Sequence, residues 1–159
     1  MKKTLLLGWG NVDRQDDGVA WHVLTAVAKR MGLPVPADTD VDFASNEGKP
    51  DFLFVMQIVP ELAEIVAEYD RVCFIDAHTG NIADDVAVQP VTASYQRSPL
   101  THHMTAATLL ALTTVLCNCT PEAVLVSIRG YEFGFSRSLS ERTAMLVPKA
   151  VEQILQWLK

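Results

Sequence analysis

A chain of 159 residues, 49% of them hydrophobic, is long enough to bury one ordinary core and too short for two. With 13 basic against 19 acidic residues, its formal charge of -6 excludes the positive footprint that a nucleic-acid backbone requires. Nothing in it resembles a secretory leader or approaches the roughly 20 apolar residues of a membrane span, so residues 1–159 are expected to form a single cytoplasmic domain, monomeric by default.

Residues 4–8, TLLLG, are an unbroken apolar run closed by glycine, the pattern of a strand buried on both faces. Val19, Ala20, Val23, Leu24, Val27 and Met31 then recur at helical spacing, and Gly32 and Pro34 stop a helix expected over 17–30. Residues 34–50 carry Asp, Pro, Gly and Asn and read as a surface excursion. FLFVM at 52–56 is a second strand, and Pro60 opens a helix over 60–69. RVCFID at 71–76 is a third buried strand, while VAVQPV at 86–91 carries Pro90 and belongs at a sheet edge. A loop leads to a helix expected from about 102 to 116, followed by the strand AVLVSI at 123–128 and a last amphipathic helix over about 140–158. This alternation predicts an α/β fold, a three-layer αβα sandwich around a mostly parallel sheet of about five strands.

The three cysteines, Cys73, Cys117 and Cys119, form no disulfide framework and read as reduced thiols; one C-x-C without a second pair is a weak zinc signal.

The turn after the first strand resembles a phosphate loop only in part. Gly8 and Gly10 fit a G-x-G-x-x-G fingerprint, but its third position is Asp13, and Asp16 and Asp17 stand where a pyrophosphate would lie. Two carboxylates there repel a phosphate and cancel the helix dipole. The same acids are locally stable at a helix start, so a capping cluster is their plainest reading. The other reading is a ligand set. Functional groups of an open α/β sheet collect outside the carboxyl ends of its parallel strands, where Asp17 follows the first strand and Asp76 finishes the third. His102 and His103 open the helix before LLAL, where the dipole disfavours the protonated ring and leaves a lone pair for a metal. Two carboxylates and one imidazole with open positions suit a borderline divalent ion such as zinc, nickel, manganese or iron.

Taken together, GWGN followed by DDG (residues 8–18), FIDA (74–77), TH before LLAL (101–112), and VLVSI followed by a glycine and by LS before the final helix resemble the hydrogenase maturation protease family almost end to end. That resemblance implies an endopeptidase that removes the C-terminal extension of a nickel-iron hydrogenase large-subunit precursor after nickel insertion. It also implies that Asp17, Asp76 and His102 serve as catalytic and nickel-recognising residues, with the nickel carried by the substrate and zinc or another divalent ion able to substitute. QIVPELAE at 57–64 replaces the D-G-G-T of many members and is similar to the branch serving NAD-reducing or bidirectional hydrogenases. RGYEFG at 129–134 also departs from the common pattern; Arg129 there leaves its strand near the same edge. The competing classes are a nucleotide-binding α/β domain and a non-cleaving adaptor that senses metal during hydrogenase assembly.

Overall fold

The computed structural model describes residues 2–95 and 104–159. Its strands are β1 (Thr4–Trp9), β2 (Asp51–Val55), β3 (Arg71–His78), β4 (Val86–Pro90) and β5 (Glu122–Arg129). They make one sheet in the order β2-β1-β3-β5-β4, parallel throughout except for β4, which runs antiparallel beside β5. Pro90 closes β4 at the sheet edge, where a missing N–H does not interrupt an interior ladder.

Helices cover both faces. Leu6, Cys73, Ile75, Val126 and Ile128 pack with α1 (Val19–Arg30) and α5 (Val147–Leu158). Leu5, Leu7, Val72 and Phe74 point the other way, toward α2 (Leu62–Val66) and α3 (Ala106–Cys117). Alternation across a pleated strand thus sends every apolar side chain of β1 into one core or the other, and this is why TLLLG reads as a continuous run. Leu6 and Leu7 are wholly buried, and truncating either to Ala is expected to cost about 2–5 kcal/mol.

Several element ends differ from the sequence reading. The helix expected from 102 begins at Ala106, because Thr105 accepts the Thr108 N–H at 3.1 Å and caps it there. His102 and His103 lie outside the described residues. The expected C-terminal helix is two: Ser140 caps α4 (Glu141–Ala144) by accepting the Thr143 N–H, and α5 starts afresh with Pro148 in its first turn, where its missing N–H costs nothing. The helix over 60–69 shrinks to α2, and the one expected from 17 is a 3-10 turn, Gln15–Gly18, followed by α1 at Val19. β3 runs two residues beyond Asp76, pairing Ala77 with Ile128 and His78 with Arg129.

Connectivity places the functional end. From β1 the chain passes through α1 to β2 on one side; from β2 it crosses through α2 to β3 on the other side of β1. The strand order therefore reverses at β1 and β3, leaving a crevice outside their carboxyl ends.

Candidate active site at the switch point

Asp17 and Asp76 flank that crevice. Asp17 stands in the 3-10 turn after β1, its Oδ2 accepting the Asn11 N–H at 2.8 Å. Asn11 is itself held in a tight turn, its Oδ1 accepting the Asp13 N–H at 2.9 Å. Gly10 brings these pieces together: its φ of +144° suits glycine, and a Cβ there would collide with the Asp17 carbonyl oxygen. Of the two glycines that look like a phosphate fingerprint, Gly10 thus serves a turn that presents a carboxylate, while Gly8 lies in β1 and lets α1 approach through Ala20 and Leu24.

Asp76 is half-buried near the end of β3. Burial raises its pKa to about 7; the Ala77 N–H, at 2.7 Å from Oδ1, and the Trp9 indole oppose that rise, and the negative charge of Asp17 adds to it. The two acids are therefore electrostatic neighbours, although they are 59 positions apart in the chain. Alternation from Phe74 places Asp76 on the α2–α3 face, together with Trp9, whose ring meets Phe74 edge-on at 6.1 Å.

Asp16, next in the chain, does something different. Its carboxylate is fully buried and accepts from Tyr131 N, Glu132 N, Ser140 N, Ser140 Oγ and Thr143 Oγ1 at 2.6 to 2.9 Å. Burial alone would raise its pKa, but these donors outweigh it and hold the carboxyl below the ordinary value. Asp16 is thus a tie between the first turn and the segment after β5, and Asp17 is the acid left facing the crevice. Gln15 reinforces the tie from a left-handed conformation, φ 52°: its N–H donates to the Ser136 carbonyl and its Oε1 accepts the Gly134 N–H. The capping-cluster reading of Asp13, Asp16 and Asp17 is corrected accordingly, since none of the three supplies a side-chain cap to the 3-10 turn or to α1.

Among the described residues no group of three or more His, Cys, Asp and Glu side chains is placed to hold a metal ion. The structure places Asp17 and Asp76 within electrostatic reach of each other; the expected third ligand, His102, lies outside the described residues. Two neighbouring carboxyls, one with its pKa pushed up by desolvation, fit a divalent cation chemically, because such a cation offsets both the burial and the mutual repulsion.

The same fold occurs in proteins of known structure. The hydrogenase maturating endopeptidase HybD from E. coli superposes with a TM-score of 0.74 at 17% identity, covering 98% of this chain and 91% of that one. The NiFe hydrogenase maturation protease HybD from Thermococcus kodakarensis gives a TM-score of 0.66 at 19% identity over 99% of both chains. The hydrogenase 2 maturation peptidase from a Thaumarchaeota archaeon gives 0.65 at 19% identity over 99% and 98%. The fold is that of the hydrogenase maturation proteases. No family model matches the chain, and no curated protein matches it. What this chain shares with the hydrogenase maturation proteases is therefore architecture over nearly its whole length, with Asp17 and Asp76 at the switch point of that architecture.

Proposed function

We propose that the chain is a hydrogenase maturation endopeptidase that removes the C-terminal extension of a nickel-iron hydrogenase large-subunit precursor after nickel insertion. The observation that carries this reading is the placement of Asp17 and Asp76 at one crevice of a fold that hydrogenase maturation proteases share along 98–99% of the chain in the three comparisons above. In this reading the nickel arrives as part of the substrate, and Asp17, Asp76 and His102 recognise it, with zinc or another divalent ion as a substitute. Metal occupancy then becomes correct positioning of one peptide bond. Asn11 keeps the Asp17 carboxylate turned toward the crevice. Burial raises the Asp76 pKa to about 7 in the metal-free chain, so the proton it holds there near neutral pH is one that an arriving divalent ion displaces. We place the protein in the cytoplasm as a monomer, and no described helix is long and apolar enough to cross a membrane.

The test mixes purified chain with nickel-loaded and nickel-free precursor and weighs the products by mass spectrometry. Cleavage of the loaded form alone, lost in Asp17→Ala, Asp76→Ala and His102→Ala, is the expected result. Cleavage that survives all three substitutions refutes the assignment. Binding without shortening points instead to the adaptor.

A further inference from the structure

β5 ends on Arg129, whose main chain is fixed on both sides: its N–H donates to the Asp85 carbonyl at 2.8 Å, and its own carbonyl accepts from Thr143 Oγ1 at 2.9 Å. Its side chain is not so provided for. The buried Nε has no hydrogen-bond partner, and a buried donor without an acceptor calls for a functional explanation. Arg142 is a second guanidinium without a carboxylate: among the described residues neither arginine forms an ion pair, although acids outnumber bases in the chain.

The two are drawn to one place by Tyr131. The guanidinium carbons of Arg129 and Arg142 lie 4.7 and 3.9 Å from the centre of its ring, and its hydroxyl donates to Asp85 Oδ1 at 3.2 Å. Gly80 borders Arg129. With φ at +99°, it leaves room that a side chain would take, since a Cβ would come within 3.1 Å of Arg129 Cζ and Nη2. The turn carrying Gly80 is pinned by His78, whose Nδ1 accepts the Gly80 N–H at 3.1 Å while Nε2 donates to the Asp84 carbonyl at 3.0 Å. The fold thus positions the Arg129 fork and leaves its hydrogen bonds unspent.

Location relates this pair to the crevice. β3 pairs Asp76 with Ser127 and His78 with Arg129, so Arg129 stands one strand over and two residues farther out, about 7 Å along the strand. Alternation puts it on the sheet face that carries Asp76. Two guanidiniums sharing one ring repel each other until an anion joins them, and a planar fork matches a carboxylate in two parallel hydrogen bonds.

We propose that Arg129 and Arg142, gathered on Tyr131, form a carboxylate-binding site that holds an acidic group of the protein substrate's C-terminal extension while the scissile bond lies at Asp17 and Asp76. The source of the carboxylate rests on the peptidase reading; the site itself does not. Binding of a synthetic peptide of the precursor's C-terminal extension, as free acid and as amide, is measured by fluorescence anisotropy with wild type, Arg129→Gln and the exposed-site variant Arg142→Gln. Each substitution is expected to weaken binding by about tenfold to a hundredfold, the range for one charge-assisted hydrogen bond, and less so at high salt. On the loaded precursor the same variants are expected to raise KM by a like factor and leave kcat unchanged, which a merely structural role would not do. Tighter binding of the acid than of the amide identifies the chain terminus as the carboxylate; equal binding, weakened in both variants, identifies an acidic side chain. Peptide affinity and KM unchanged in both variants, or no peptide binding by wild type, overturn the site. A wild-type chain that binds peptide but cleaves no precursor sinks the peptidase reading and leaves the site standing.

Discussion

Replacing Asp76 by Asn should weaken the way stability responds to pH. The folded carboxyl has its pKa at about 7 against an ordinary 3.8, raised first by burial and then by the charge of Asp17. At about 1.4 kcal/mol per unit, a rise of about three units corresponds to at most about 4 kcal/mol, with water entering the crevice reducing it. The folded chain binds this proton more tightly than the unfolded chain, so the contribution is fully present below pH 3.8, falls as pH rises from there, and is gone above about 7. Urea titrations at pH 5 and pH 8 should therefore show the wild type losing stability on going to the higher pH, and Asp76→Asn losing less by about 2–3 kcal/mol at most. A divalent ion must displace the same proton, so metal affinity in the wild type should climb about tenfold per pH unit up to about 7 and then level off. Identical pH dependence of stability in wild type and variant would show that Asp76 is not desolvated, and the assignment of its role would fail with it.

Asp16→Ala leaves three backbone N–H groups and the Ser140 hydroxyl without their acceptor, while the Thr143 hydroxyl keeps the Arg129 carbonyl, and thermal or urea unfolding should show a loss of about 3–5 kcal/mol. Asp17→Asn keeps an acceptor for the Asn11 N–H, so its melting temperature should stay within a few degrees of wild type while cleavage of the loaded precursor disappears. Acid should unfold the protein partly through Asp16: with its folded pKa depressed, the stability it supplies is present above the ordinary value of 3.8 and lost as pH falls below it, a loss that Asp16→Asn should not show in circular-dichroism titration. Gly10→Ala should abolish cleavage and destabilise the turn, visible as lost activity together with a lowered melting temperature, because the side chain has no room beside the Asp17 carbonyl.

The sheet was legible in the sequence because a strand buried on both faces must be apolar throughout, and 4–8, 71–76 and 123–128 each announce this within a few residues. Pro90 marked the edge for an equally local reason. Helix starts were harder. The start of α3 depends on which of several hydroxyl residues turns back to cap it, and Thr105 does so only because the main chain around it takes an extended conformation. The acids at 16 and 17 show where local information ends: both sit at a turn, and spacing alone assigns neither a role. What separates them is that Ser140 and Thr143, more than 120 positions later, return to enclose one and not the other. Arg129 was visible as a residue leaving its strand at the functional edge, but not its pairing with Arg142, because the ring that gathers them belongs to a segment without regular secondary structure.

The bonds that Asp16 makes also order events in time. The turn that presents Asp17 cannot reach its final shape until residues 131–143 have emerged from the ribosome and folded back, since they carry the donors that hold its charged neighbour. A nascent or nicked chain missing that stretch has a sheet to build on but an unfinished turn outside the carboxyl end of β1.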